Sequence, residues 1–317
     1  MGVGRRGAAG GAATVAGPDR HDGAHPEVGE GEPVVFVHGA SNAGASWATL
    51  VNRLPGFRCI LLDRPGCGLS PPLPYRFDDV SRLGAFADSL VVDVLDALEL
   101  DTANLVGTSF GGYITLRSAA AHPDRIRRLL LFGWSVGVPI AKTPLVMRIG
   151  SLPVLGSLPA AVPPTRRMVI GMLRQIGLKG AVESGRFTPE MVDWFLAMLR
   201  HTDTMRNELR AGPRIVTPLK GLNDSILLSP EVLGRVSMPT YFLWGGDDPM
   251  GGAAVAEAFV AQVPGAELEL LPRAGHAAWI DEPDHAAIVT RRFLQHPSQI
   301  APRTDEPGAA VESERRA

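Results

Sequence analysis

The 317-residue sequence has little that would point to a stapled, charged or membrane-bound protein. It holds two cysteines, Cys59 in an apolar run and Cys67 in a Pro/Gly turn, with no CxxC pair. No disulfide framework or zinc motif organises it, and the thiols read as unpaired groups of a reducing, cytoplasmic compartment. Neither sign of charge dominates: 31 basic and 33 acidic residues leave a formal net charge of −2. With no Lys/Arg block, no field exists for nucleic acid or an anionic lipid surface. The most apolar part, "PLVMRIGSLPVLGSLPAAVPP", is interrupted by Arg148, glycines and prolines, so no membrane-spanning helix is expected. "GCGLSP" lacks the third glycine of a phosphate loop, no GxxxxGK[ST] occurs, and no His/Cys/carboxylate cluster has metal spacing. Neither cofactor nor metal is expected.

Both ends are low in pattern. Residues 1–30 are rich in Gly and Ala; the arginine pair in "MGVGRRGAAGGAATVAGP" faintly resembles a twin-arginine export signal, but the apolar part is short and diluted by glycine. This segment and the polar residues 299–317 read as disordered tails.

Between them the pattern is regular. "VVFVH" (34–38), "RCILLD" (58–63), "ANLVG" (103–107), "RLLLF" (128–132), "TYFLWG" (240–245) and "AELELL" (266–271) have the length and content of buried parallel strands. From Val80 to Leu98 the apolar residues Leu83, Phe86, Leu90, Val94 and Leu98 recur at three- and four-residue spacing, one face of a helix. Further helices are expected over Phe110–Ala121, Gly252–Gln262 and Pro283–Leu294. Alternating strands and helices predict an α/β fold with a mostly parallel sheet covered on both faces. The alternation fails between about Trp134 and Val236, where "RRMVIGMLRQIG" and the stretch opened by Thr188, Pro189 and Glu190 are helical. The expected organisation is a core of 31–134 and 236–298 with a helical cap, 135–235, inserted above the carboxyl edge of the sheet.

"NLVGTSFGGYITL" (104–116) contains G-x-S-x-G between a strand and a helix. This is the context of a nucleophile elbow, which holds a serine hydroxyl out at the sheet edge, so Ser109 is the candidate nucleophile. A serine needs a base. Of eight histidines, His276 in "LPRAGHAAWIDEP" follows the last strand and can reach back over the sheet edge. The base needs an orienting carboxylate; "LWGGDDPM" offers Asp248, preferred, and Asp247, which stays open. The amides of Ala40, in "VFVHGASNAG", and Phe110, after the nucleophile, are the candidate oxyanion donors. His38 reads as a brace for its loop. Asp63 and Arg64 in "LLDRPGCGLS" either pair with each other or brace loops.

Taken together, "HGA" (38–40), "DRPGCGLS" (63–70), "GTSFGG" (107–112), "WGGDDP" (244–249) and "GHAAWIDEP" (275–283) resemble, in family order, the α/β-hydrolase superfamily over roughly residues 31–296. The resemblance implies a mostly parallel eight-stranded sheet, a cap after the sixth strand, and Ser109, Asp248 and His276 as nucleophile, acid and base. Serine at the elbow sets the chain apart from epoxide hydrolases and haloalkane dehalogenases, which carry aspartate there. Members usually have two antiparallel strands ahead of "VVFVHG"; here about 30 low-complexity residues precede it, so those strands are expected to be missing, poorly formed or lost to a misassigned start. The expected activity is hydrolysis of a small-molecule carboxylic ester with an apolar substituent. Cleavage of a carbon–carbon bond, lactone or amide, perhydrolysis by the same groups, and a catalytically silent binding protein are the alternatives.

Overall fold

A computed structural model describes residues 13–14, 24–73, 80–143, 145–152, 163–217 and 221–295. Its centre is a seven-stranded sheet built from β1 (Glu27–Val28), β2 (Glu32–Val37), β3 (Phe57–Leu62), β4 (Ala103–Thr108), β5 (Ile126–Ser135), β6 (Thr240–Gly245) and β7 (Glu267–Leu271). The spatial order is β7-β6-β5-β4-β2-β3-β1, and every pairing is parallel except β1 against β3.

The β2 strand shows why this sheet is buried on both sides. Successive side chains point to opposite faces. Val35 and Val37 join one apolar cluster while Val34 and Phe36 join the other. The first cluster is closed by α1 (Val80–Ala97) and α2 (Ser109–Ala121), through residues such as Leu90 and Ile114, and by Phe259 of α6 (Ala253–Val260). The second is closed by α7 (Pro283–Gln295), through Val289, Phe293 and Leu294, and by Trp47 and Trp279, whose rings lie 4.4 Å apart. Continuous apolar runs rather than alternating ones follow from this double covering.

Two expectations need correction. The sheet has seven strands among the described residues, one fewer than the resemblance implies. Part of the segment read as a tail joins it: Glu27 and Val28 pair antiparallel with Ile60 and Cys59, Arg58 donates to both carboxylate oxygens of Glu27, and His25 is buried. The strand is too short to produce a readable hydrophobic alternation. Ala13–Thr14 pair with Ala24–His25. The rest of 1–23 and the C-terminal 296–317 lie outside the described residues.

From β5 the chain leaves the sheet for a run of helices and returns at β6. These include α3 (Arg166–Leu173), α4 (Pro189–His201) and α5 (Thr204–Ile215). Thr188 caps α4 by accepting from the amide of Met191, with Pro189 in the first turn, as the sequence predicts. The stretch "RRMVIGMLRQIG" is not one helix. After Leu173 it passes into a π-helical turn, Arg174–Leu178, in which Gly177 has φ +94°. A short antiparallel pair, Val216–Thr217 with Gly221–Leu222, also lies in the insertion.

The chain runs from β2 outward to β3, then crosses to place β4 on the other side of β2. At such a reversal two strand-end loops diverge and leave a crevice. His38–Gly39 follow β2 and Ser109 follows β4, so the crevice opens between them.

Candidate active site

Ser109 stands where β4 becomes α2, with φ +54°. For an L-residue this left-handed conformation costs about 1–2 kcal/mol. Its surroundings hold it in place: the Val136 amide donates to the Ser109 carbonyl at 3.0 Å, and the Thr108 hydroxyl donates to the Phe132 carbonyl at 2.8 Å. Close approach is also needed. A β-carbon at Gly111 would overlap the carbonyl oxygen of Val37, so only glycine lets the first turn of α2 lie against β2.

His276 and Asp248 meet although 28 residues separate them. Nδ1 of His276 lies 2.7 Å from Oδ2 of Asp248, whose side chain is fully buried. That carboxylate has two further donors: the Trp134 amide at 3.0 Å to Oδ2 and the Met250 amide at 3.0 Å to Oδ1. With the acid acting as acceptor throughout, Nδ1 of the imidazole carries the proton and Nε2 is left basic. The loop bearing His276 is pinned by Asp281, whose Oδ2 accepts from the Gly275 amide at 2.8 Å. Asp247 is exposed and has no such arrangement around its carboxylate; the choice left open by the adjacent pair is thereby narrowed to Asp248.

Ser109, Phe110, His276 and Ala40 all line one cavity of about 770 Å³, a size suited to a small organic molecule. The opposite wall comes from the insertion, including Leu173, Met191, Trp194 and Phe195. Among the described residues no group of His, Cys, Asp and Glu is arranged to hold a metal ion, and no helix is long and apolar enough to cross a membrane.

His38 is completely buried, and burial together with the nearby Arg64 guanidinium holds its imidazole well below its ordinary pKa. It is neutral, with Nδ1 donating to the Gly39 carbonyl at 2.7 Å and Nε2 accepting from the Arg64 amide at 3.1 Å. Asp63 braces loops rather than pairing with Arg64: its two oxygens accept from the Gly44 and Leu69 amides at 2.6 and 2.8 Å. The arrangement contains groups that sequence reasoning had no means to find. The Trp134 amide is a backbone donor with no side-chain signature. Glu208 of α5, which lines the cavity and bonds Arg64, is 144 residues from its partner.

Residues 34–288 match the model of the alpha/beta hydrolase family. A 2-hydroxy-6-oxononadienedioate/2-hydroxy-6-oxononatrienedioate hydrolase from Paraburkholderia xenovorans strain LB400 is 30% identical over 284 residues, covering 85% of this chain and 89% of that relative. Among solved structures, a 2-hydroxy-6-oxo-6-phenylhexa-2,4-dienoate hydrolase from Rhodococcus sp. strain RHA1 is similar with a TM-score of 0.72 at 20% identity, covering 87% of this chain and 95% of the other. A carboxylesterase from Bacillus subtilis is similar with a TM-score of 0.69 at 19% identity, covering 90% and 91%. At such identities the two structures speak to the fold alone. This chain belongs to the alpha/beta hydrolase family. It is a hydrolase of that fold.

Proposed function

We propose that the protein hydrolyses an uncharged carboxylic ester with an apolar substituent, through an acyl-enzyme on Ser109. As the Ser109 oxygen attacks the ester carbonyl, Nε2 of His276 takes its proton, and Asp248 stabilises the imidazolium that forms. The amides of Ala40 and Phe110 hold the oxyanion. The imidazolium then protonates the departing alkoxide. Water, deprotonated in turn by His276, releases the acid and restores the serine. The helical insertion of 135–235 acts as the cap over this chemistry.

The observation that carries the ester reading is the cavity wall. It is mostly apolar, its acidic groups are Glu190 and Glu208, and among the described residues it includes no lysine or arginine. An anion buried there without a partner would suffer a desolvation penalty of several kcal/mol; a neutral ester has no charge to desolvate.

A second reading has its own support in the relatives. A 6-oxo dienedioate, as in the name of the Paraburkholderia protein, contains no ester or amide, so water can divide it only at a carbon–carbon bond beside the ketone. The same serine, histidine and aspartate could serve that reaction. Its substrate carries carboxylates, for which the described wall offers no cation. A panel of neutral p-nitrophenyl esters and a 2-hydroxy-6-oxo-dienoate, assayed with the parent and with Ser109→Ala, separates the two. Ester turnover lost in the variant, with little dienoate cleavage, supports the proposal. Dienoate cleavage exceeding ester turnover refutes it in favour of carbon–carbon hydrolysis.

A further inference from the structure

Arg64 lies where the candidate oxyanion loop, the elbow and the cap meet. The residue is nearly inaccessible, at 3% exposure. Nε donates to the His38 carbonyl at 3.2 Å and Nη2 to the Gly39 carbonyl at 2.9 Å. The same nitrogen meets Oε1 of Glu208, on α5, at 2.5 Å. The guanidinium carbon also stands 4.6 Å from the centre of the Phe110 ring, a cation–π contact. One side chain therefore touches both segments that carry the candidate oxyanion donors.

The geometry of the Gly39 carbonyl gives that contact its meaning. A trans peptide is planar, with its C=O and N–H pointing in opposite directions. The carbonyl of Gly39 and the amide of Ala40 belong to one such unit. Fixing the oxygen therefore fixes the Ala40 N–H, and a cation on the oxygen polarises that N–H into a stronger donor. The oxygen is held twice, by Nδ1–H of His38 at 2.7 Å and by Arg64.

Arg64 has a partner outside the core. Oε1 of Glu208 also accepts from the Cys67 thiol at 3.3 Å, while the Asn207 amide group donates to the Pro65 carbonyl at 3.2 Å and the Thr204 hydroxyl accepts from the Gly68 amide at 2.9 Å. The first turns of α5 thus seat on the loop containing Arg64. Burial pushes the Cys67 thiol far above its ordinary range, so it stays a proton donor to Glu208.

We propose that Arg64 is a positioning residue for the oxyanion hole and that Glu208 holds it there, so that seating of the cap sets the orientation of the Ala40 amide. This rests on the serine-hydrolase reading above. It adds a role for the cap beyond enclosing substrate: the two donors come into register when α5 is docked.

The test uses the full chain, with Arg64→Met, Arg64→Lys, Glu208→Gln and the double variant Arg64→Met/Glu208→Gln. Each is assayed for p-nitrophenyl ester kcat and KM, for the rate of labelling by an alkyl fluorophosphonate, and for thermal unfolding. Loss of one well-placed oxyanion donor lowers kcat by about 10²-fold or more, and a displaced donor by a part of that. We expect kcat and the labelling rate to fall about tenfold or more in Arg64→Met, with KM within about twofold, and to fall by a smaller factor in Glu208→Gln. The double variant removes both buried charges together, so it folds where Arg64→Met leaves Glu208 unpaired, yet it stays as slow as Arg64→Met. Arg64→Lys keeps a charge without the planar fork and recovers part of the rate. A folded double variant with the parent's kcat and labelling rate would overturn the inference, as would a rise in KM at unchanged kcat. Absence of labelling in the parent overturns the serine-hydrolase reading and this inference with it; equal labelling of parent and variants overturns this inference alone.

Discussion

Replacing Asp248 by asparagine exchanges one oxygen for an NH₂ group and leaves the volume of the site nearly unaltered, which makes its effect calculable. In the parent, Oδ2 accepts from Nδ1 of His276 at 2.7 Å and from the Trp134 amide at 3.0 Å, and Oδ1 accepts from the Met250 amide at 3.0 Å. Three donors converge on two acceptors. An asparagine has one acceptor, so in either orientation its NH₂ faces a backbone N–H. With the oxygen toward His276, the imidazole keeps its tautomer but loses the negative charge that stabilises the imidazolium, and the Met250 amide is left without its acceptor. With the NH₂ toward His276, the ring must move its proton to Nε2 and can no longer act as base. In the serine-protease precedent of this substitution the loss is about 10⁴-fold in kcat, which is about 5.4 kcal/mol at 1.36 kcal/mol per decade. The unsatisfied buried amide lowers stability by a further 1–3 kcal/mol or so. The assay is kcat for a p-nitrophenyl ester alongside denaturant unfolding, with Asp247→Asn as the control, since Asp247 is exposed. Asp248→Asn within about tenfold of the parent, or Asp247→Asn as damaging as Asp248→Asn, would refute the assignment of the acid.

Three further outcomes follow from particular contacts. Gly111→Ala drives a methyl group into the Val37 carbonyl, so the denaturant midpoint should fall by the equivalent of about 2 kcal/mol or more, with loss of activity from the displaced elbow; an unchanged midpoint contradicts the close approach. Gly177→Ala puts a β-carbon at φ +94°, 2.8 Å from the His276 amide nitrogen and 2.7 Å from the Pro249 ring. We expect a several-fold fall in ester kcat and about 1–2 kcal/mol of destabilisation, read by kinetics and by unfolding. Burial and Arg64 depress the His38 pKa below its ordinary 6.5. Below that pH the unfolded chain binds a proton that the folded chain refuses. The stability is therefore fully present above about pH 6.5 and falls, by up to about 1.4 kcal/mol per pH unit for this one group, as the pH drops toward the folded pKa. Denaturant curves between pH 8 and 5 for the parent and His38→Asn test this: the variant should lack that part of the slope, and identical slopes would contradict it.

Much of the fold was legible because a sheet buried on both faces leaves uninterrupted apolar runs. "VVFVH" and "TYFLWG" could be read directly, and β2 and β6 occupy Glu32–Val37 and Thr240–Gly245. The candidate site was legible for a related reason: Ser109, Asp248 and His276 each follow a strand of a parallel sheet, and all such loops emerge at one edge. The strand Glu27–Val28 was not legible, since two exposed residues make no period. The π turn at Arg174–Leu178 was hidden inside a helical pattern, because the glycine that bends it is also tolerated by a helix at a cost of about 1 kcal/mol. The choice between Asp247 and Asp248 depended on which side chain the turn after β6 buries, and adjacent identical residues give no local signal of that. Arg64 and Glu208 could be seen as charged residues but not as partners, because their pairing is created by the docking of α5 on a loop 136 to 144 residues away in the chain.

Activation of the Ser109 hydroxyl by His276 is the step on which all of the proposed chemistry rests. Its most direct test is intact-mass and peptide mass spectrometry after exposure of the folded chain to an alkyl fluorophosphonate. A single adduct is expected, located on Ser109 and formed at least about 10²-fold more slowly in His276→Ala. No adduct on the folded parent, or an adduct on another residue, would contradict it.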